Sequence, residues 1–197
     1  MRLKGVSRAA VAAGIGTLAA IAFASPEPAP GPAAPAPSPL AHGPIATYDT
    51  ACARCHGPNG SFYGPTLGKG KTDAQLRQVI KEMAEGPSQL PPLPAVELEA
   101  QTAYHRALIK GEPFVALTLR TKTRIEGEVT SGSTITVTQS GKTTAAKIDG
   151  SRWSAPLAAK SAAPIITARL GKTSTTLKTA TAAFSHSAPL AETGQAK

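Results

Sequence analysis

Apolar positions recur with helical spacing in the first half of the chain and alternate in the second. Leu76, Val79, Ile80 and Met83 fall at i, i+3, i+4 and i+7, which predicts a helix over Asp73–Glu85 with one apolar face. Gly86 and Pro87 end it. Residues 97–109 read as a later helix, with Leu98, Tyr104 and Leu108 on its buried side and Gly111-Glu112-Pro113 as its stop. Residues 45–55 read as a short helix that is left through the turn-rich His56-Gly57-Pro58-Asn59-Gly60. Pro91, Pro92 and Pro94 impose an extended loop before the last helix.

Beyond Pro113 the helical period ends, charged residues thin out, and Thr and Ser become frequent. Strands are predicted over residues 114–119, 125–130, 134–138, 143–148, 152–157, 164–170 and 174–184, separated by Ser131-Gly132-Ser133, Ser140-Gly141-Lys142, Asp149-Gly150-Ser151 and Gly171-Lys172. Short strands at regular turn spacing predict an all-β sandwich, with Trp153 as a core anchor.

The ends of the chain lie outside these patterns. Residues 1–24 carry Arg2, Lys4 and Arg8, then an uncharged Ala-rich run closing on Ala22-Phe23-Ala24, which is the form of a secretory signal peptide. The apolar run has 16 residues (9–24), short of the ~20 that a spanning helix needs, so cleavage is expected rather than retention as an anchor. Residues 25–44 are a Pro/Ala-rich linker, expected to be an extended, semi-rigid spacer. Residues 187–197 read as a disordered tail.

Candidate chemistry is concentrated in one place. The only two cysteines stand in Cys52-Ala53-Arg54-Cys55-His56. C-x-x-C-H is the attachment motif of a c-type haem. Two thiols three residues apart can each add to one haem vinyl group, and the histidine after Cys55 is then held at the iron as proximal axial ligand. A thioredoxin-like pair would need a βαβ context, which the flanking sequence lacks. A structural zinc normally takes four ligands, and His42, His105 and His186 are scattered. One covalent haem c is therefore the expected cofactor, and it implies export, to the periplasm or another extracytoplasmic compartment.

With that motif in place, residues 45–112 resemble a small class I monohaem cytochrome c. The resemblance rests on Tyr48 through Gly60, Gly64-Pro65-Thr66-Leu67, Leu76 with Val79-Ile80, Gly86, Leu90-Pro91-Pro92-Leu93-Pro94, and Glu97-Leu98-Glu99 leading to Tyr104. It implies helices wrapped on a haem, with thioethers at Cys52 and Cys55 and His56 as proximal ligand. By the same resemblance Pro65 supplies a carbonyl that accepts from His56, Leu67 packs on the haem, and Tyr104 packs the last helix on the first. One position departs. The family places its distal methionine where this chain has Leu90, which has no lone pair to offer iron. Met83, inside the predicted helix, is the tentative distal axial ligand. His105, His42 and an open site beneath Leu90 are the alternatives. The Leu76/Val79/Ile80 stripe favours core packing for Met83, and His105 is expected on a solvated face.

Residues 113–186 resemble bacterial Ig-like modules, in which an Asp-Gly turn precedes a buried Trp, here Asp149-Gly150 and Trp153. The expected fold class is thus multidomain: a small all-α cytochrome c domain plus a C-terminal all-β Ig-like sandwich. Residues 45–112 hold seven Lys/Arg and seven Asp/Glu, whereas residues 113–197 hold eleven and four. The basic β-part suits an acidic redox partner protein or an anionic envelope surface. Nucleic acid is excluded as a partner by export. No distal acid–base pair accompanies the motif, so no enzyme activity is expected. The function expected is electron transfer by an exported c-type cytochrome; a haem protein with an open distal site for a small ligand, or an envelope-associated module, is the alternative.

Overall fold

A computed structural model describes residues 36–64, 66–158 and 162–186, all within one compact unit. The signal-peptide expectation over 1–24, the tail over 187–197 and Pro65 lie outside these residues.

Nine strands build two antiparallel sheets. The first holds β1 (Phe114–Arg120), β2 (Arg124–Val129), β5 (Lys147–Asp149), β6 (Arg152–Pro156) and β9 (Phe184–His186), in the order β5-β6-β2-β1-β9. The second holds β3 (Thr134–Gln139), β4 (Lys142–Ala145), β7 (Ile165–Leu170) and β8 (Thr173–Lys178), in the order β4-β3-β7-β8. Period-2 alternation sends Val115, Leu117, Ile125 and Val129 inward from one sheet and Ile135, Val137, Ile166, Ala168 and Leu177 inward from the other, closing a sandwich core. Trp153 is buried in it, and its Nε1–H donates to the Glu128 carbonyl at 3.1 Å. Gly127 sits where any Cβ would overlap the Ala116 carbonyl and press on the Trp153 ring.

Two predicted strands are each divided between the sheets. The stretch 143–148 becomes β4 paired with β3 and β5 paired with β6, with Ala146 turning between them and donating its N–H to Ile135. The closing stretch becomes β8 paired with β7 and β9 paired with β1.

The helices precede the strands. Helix α1 (Pro44–Thr47), a π-helical turn (Tyr48–Cys52) and α2 (Ala53–His56) replace the single predicted helix over 45–55. Helix α3 (Asp73–Glu85) lies where the periodicity predicts it, and Thr72 opens it with a capping box: Thr72 Oγ1 accepts from the Gln75 N–H, and Gln75 Oε1 accepts from the Thr72 N–H. Helix α4 (Ala95–Lys110) ends at Gly111, whose φ of 66° suits glycine.

The expected fold class is corrected here. The described residues set nine strands in two sheets beside helices of at most 16 residues, and they do not include a separate all-α cytochrome c domain. The reason is where the helices find their core. Ile45, Tyr48, Ala100, Ala103, Tyr104 and Ala107 pack in one cluster with Phe114 and Ala116 of β1 and with Ala183. The Tyr104 and Phe114 rings lie 5.4 Å apart. From β2, the buried Glu128 carboxylate accepts the N–H of Ile45 at 2.7 Å and of Ala46 at 3.2 Å. The helices thus complete their core against a β-sheet face, as expected of a segment too small to bury a large core alone. Among the described residues no helix is long and apolar enough to cross a membrane.

Candidate functional site

The site starts from a broken helix. Cys52 closes the π-helical turn, and Cys55 and His56 follow on the single turn of α2. Gly57 then takes φ 73°, which reverses the chain beyond His56. The buried Tyr48 hydroxyl donates to the Gly57 carbonyl at 3.0 Å, tying the entrance of the motif to its exit. Both cysteines are free thiols, Cys52 half-buried and Cys55 exposed. Burial, and secondarily Cys55, pushes the Cys52 thiol up from its ordinary range.

These three residues open onto a cavity of about 340 Å³, within the ~300–1,000 Å³ usual for ligand sites. Leu67 and Lys71 line it from the 66–72 loop, Val79 and Met83 from α3, Leu90 and Leu93 from the proline-rich loop, and Gln101, His105 and Ile109 from α4. Leu67 is 42 %, Met83 40 % and Val79 36 % exposed, so the chain leaves an apolar wall uncovered around the motif.

The helical stripe that predicted α3 divides into two rows. Leu76, Ile80 and Ala84 are buried, Leu76 and Ile80 packing against Leu98. All three also reach the cavity wall, as do Val79 and Met83, four residues apart on the adjoining row, which stay exposed there. Met83 is therefore outside the core to which its stripe pointed. Leu90 lines the same cavity, its N–H bonded to the Ala84 carbonyl at 2.8 Å. Ser88 donates its hydroxyl to the Ala51 carbonyl at 3.2 Å, tying the end of α3 to the motif.

Of the remaining histidines, His42 does not line this cavity; its Nδ1 lies 3.1 Å from Glu97. His105 does, and the expectation of a solvated face fails: it is buried at 8 % exposure. Its Nδ1 lies 2.6 Å from the Tyr63 hydroxyl. Burial foremost, then the charge of nearby His56, pushes its pKa down to about 3, so it stays neutral. Tyr63, driven above its ordinary range chiefly by burial, keeps its proton.

Sequence reading missed two residues that line this cavity, Tyr63 and Gln101, and a third, Arg106, that supports it. The buried Nε2 atoms of Gln101 and His105 have no hydrogen-bond partner among the described residues. A signal was present, since Gln101, His105 and Ile109 step by four along α4. Arg106 lies behind the site. Its guanidinium pairs with Asp73 at 2.8 Å and donates to the carbonyls of Lys71 at 2.7 Å and Gly68 at 3.3 Å, pinning the loop that carries Leu67. Among the described residues no group of three or more His, Cys, Asp or Glu side chains is placed to hold a metal ion.

Comparison with protein-family models, with curated proteins and with solved structures finds no match to this chain.

Proposed function

We propose that this chain is an exported c-type haem protein that transfers electrons; Cys52 and Cys55 would hold the haem covalently and His56 would hold its iron. The observation that supports this most is that Cys52, Cys55 and His56 open onto one cavity whose walls are otherwise largely apolar. The residues fit a covalently held haem: two free thiols, an imidazole, uncovered apolar side chains at Leu67, Val79 and Met83, and two buried nitrogens left for a guest's polar atoms. When bound, the haem supplies an iron centre that exchanges single electrons. The chain's part is to hold His56 against it, to exclude water with the apolar walls, and to offer a sixth ligand. Met83 is the tentative distal axial ligand, its thioether being on the wall of the cavity that His56 also lines. Gln89 adjoins Leu90 but no acid–base pair does, so a carrier suits this site better than an enzyme.

Export to the periplasm or another extracytoplasmic compartment rests on residues 1–24 and on the chemistry of the motif. The basic strands suit an acidic redox partner or an anionic envelope surface. Leu90 in the cavity wall favours a second reading, an open distal site that takes a small ligand. The test is co-expression with a haem-attachment system. The expected result is one haem that survives denaturation in the native sequence, and none in the Cys52→Ala/Cys55→Ala double variant. A native chain without covalent haem overturns the proposal.

A further inference from the structure

Beside His56, on the wall of the same cavity, lies a cluster of rings that the motif does not account for. The Tyr63 ring meets the His56 ring edge-on, with centroids 5.2 Å apart and planes at 69°. Tyr63 is itself held from several sides. Its ring lies over Gly60, where a Cβ would come within 2.8 Å of it. Tyr48 meets it edge-on at 6.5 Å. Its hydroxyl reaches His105 Nδ1 at 2.6 Å, and the two rings lie nearly parallel, at 29°. His105 is held in turn by Tyr48, whose ring is 5.3 Å away. Tyr48 is fully buried and anchored to Gly57, next to His56. The chain thus runs His56, Tyr63, His105, Tyr48 and back to the motif.

We infer that Tyr63 and His105 are positioning residues that fix the plane of the His56 imidazole. A short hydrogen bond between two side chains, one of them buried, removes the freedom that an unbonded tyrosine ring would keep. A ring so fixed presents a rigid edge to the imidazole. Groups packed against a ligating histidine set its orientation and its electron donation, and so tune the metal it serves. His105, weighed as an iron ligand, acts here through Tyr63 on His56. This inference rests on the haem reading above.

The test uses the full chain with haem attached, comparing Tyr63→Phe, His105→Leu and His105→Gln. Tyr63→Phe keeps the ring and loses the hydroxyl. His105→Leu loses the acceptor, and His105→Gln restores one through its amide oxygen. The expected result is haem attached in all, with the reduction potential and the low-spin g-values of the ferric form shifted in the same direction by Tyr63→Phe and His105→Leu, and returned toward native by His105→Gln. Haem attached with potential and g-values unmoved in Tyr63→Phe and His105→Leu overturns the positioning role alone. A native chain that holds no covalent haem overturns the underlying reading and this inference with it.

Discussion

On the proposed haem reading, Met83 and Leu90 carry the choice between a closed and an open iron. Both line the cavity that His56 lines, but only the thioether has a lone pair for metal. If Met83 ligates, the reduced haem-loaded protein would bind CO slowly, and Met83→Ala would bind CO rapidly and lose the sulfur-to-iron charge-transfer band. Rapid CO binding in the native chain, unchanged by Met83→Ala, would show that the site is open. The motif residues were legible because their chemistry is local: two thiols and an imidazole within five positions. His105 and Met83 were not. Each looked ordinary in its helix, and it takes packing by Tyr63 and α4, or the withdrawal of the core to Leu76, Ile80 and Ala84, to decide which way such a side chain faces.

At the scale of elements, the loop over 66–72 is held locally by turn hydrogen bonds at Leu67, Lys69 and Lys71, and Arg106 ties it to α4. Arg106→Ala leaves the buried Gly68 carbonyl without its donor, a loss of about 1–3 kcal/mol for such a group, while the exposed Lys71 and Asp73 groups turn to water. The expected outcome is faster hydrogen exchange in 66–72 and a lower denaturant midpoint. Arg106→Lys fails to restore either, because an ammonium cannot reproduce the planar fork. α3 and α4 lie close to where the pattern placed them, since a 3.6-residue period and a capping box are properties of contiguous sequence. The break at 48–52 and the division of 143–148 between two sheets are not. They depend on partners far along the chain, Ile135 for Ala146 and Glu128 for the N–H groups of Ile45 and Ala46.

Across the whole molecule, Glu128 joins the helices to the sheet. Glu128→Ala leaves two amide donors without their acceptor, about 1–3 kcal/mol each if they stay buried. Because the helices share a core with β1, near-ultraviolet and far-ultraviolet signals are expected to fall together at a lower midpoint, rather than the helices melting first. Stability also carries a pH signature. His105 is neutral in the folded chain down to about pH 3, whereas an unfolded histidine takes a proton near pH 6.5. Between these values the unfolded state binds the extra proton, so stability falls as pH falls through that window. The Glu128 carboxyl, raised mainly by burial, has the opposite sign: its contribution is present at low pH and is lost as pH rises above the ordinary carboxylate range. Denaturant midpoints taken from pH 7 down to pH 4 are expected to fall less in His105→Gln than in the native chain.

By itself the sequence determined the grouping of Cys52, Cys55 and His56, the helical period of α3 and α4, the strand alternation and the buried place of Trp153, because each follows from residue chemistry or from spacing along a short segment. Tertiary structure alone decided that the helices are layered on a sheet instead of forming an all-α domain. It also decided that Met83 lines a cavity and that Tyr63 and His105 join His56 on its wall. Those outcomes turn on which apolar face finds which partner, and that is fixed by contacts between residues such as Tyr104 and Phe114, or Ile45 and Glu128, that no local pattern brings together.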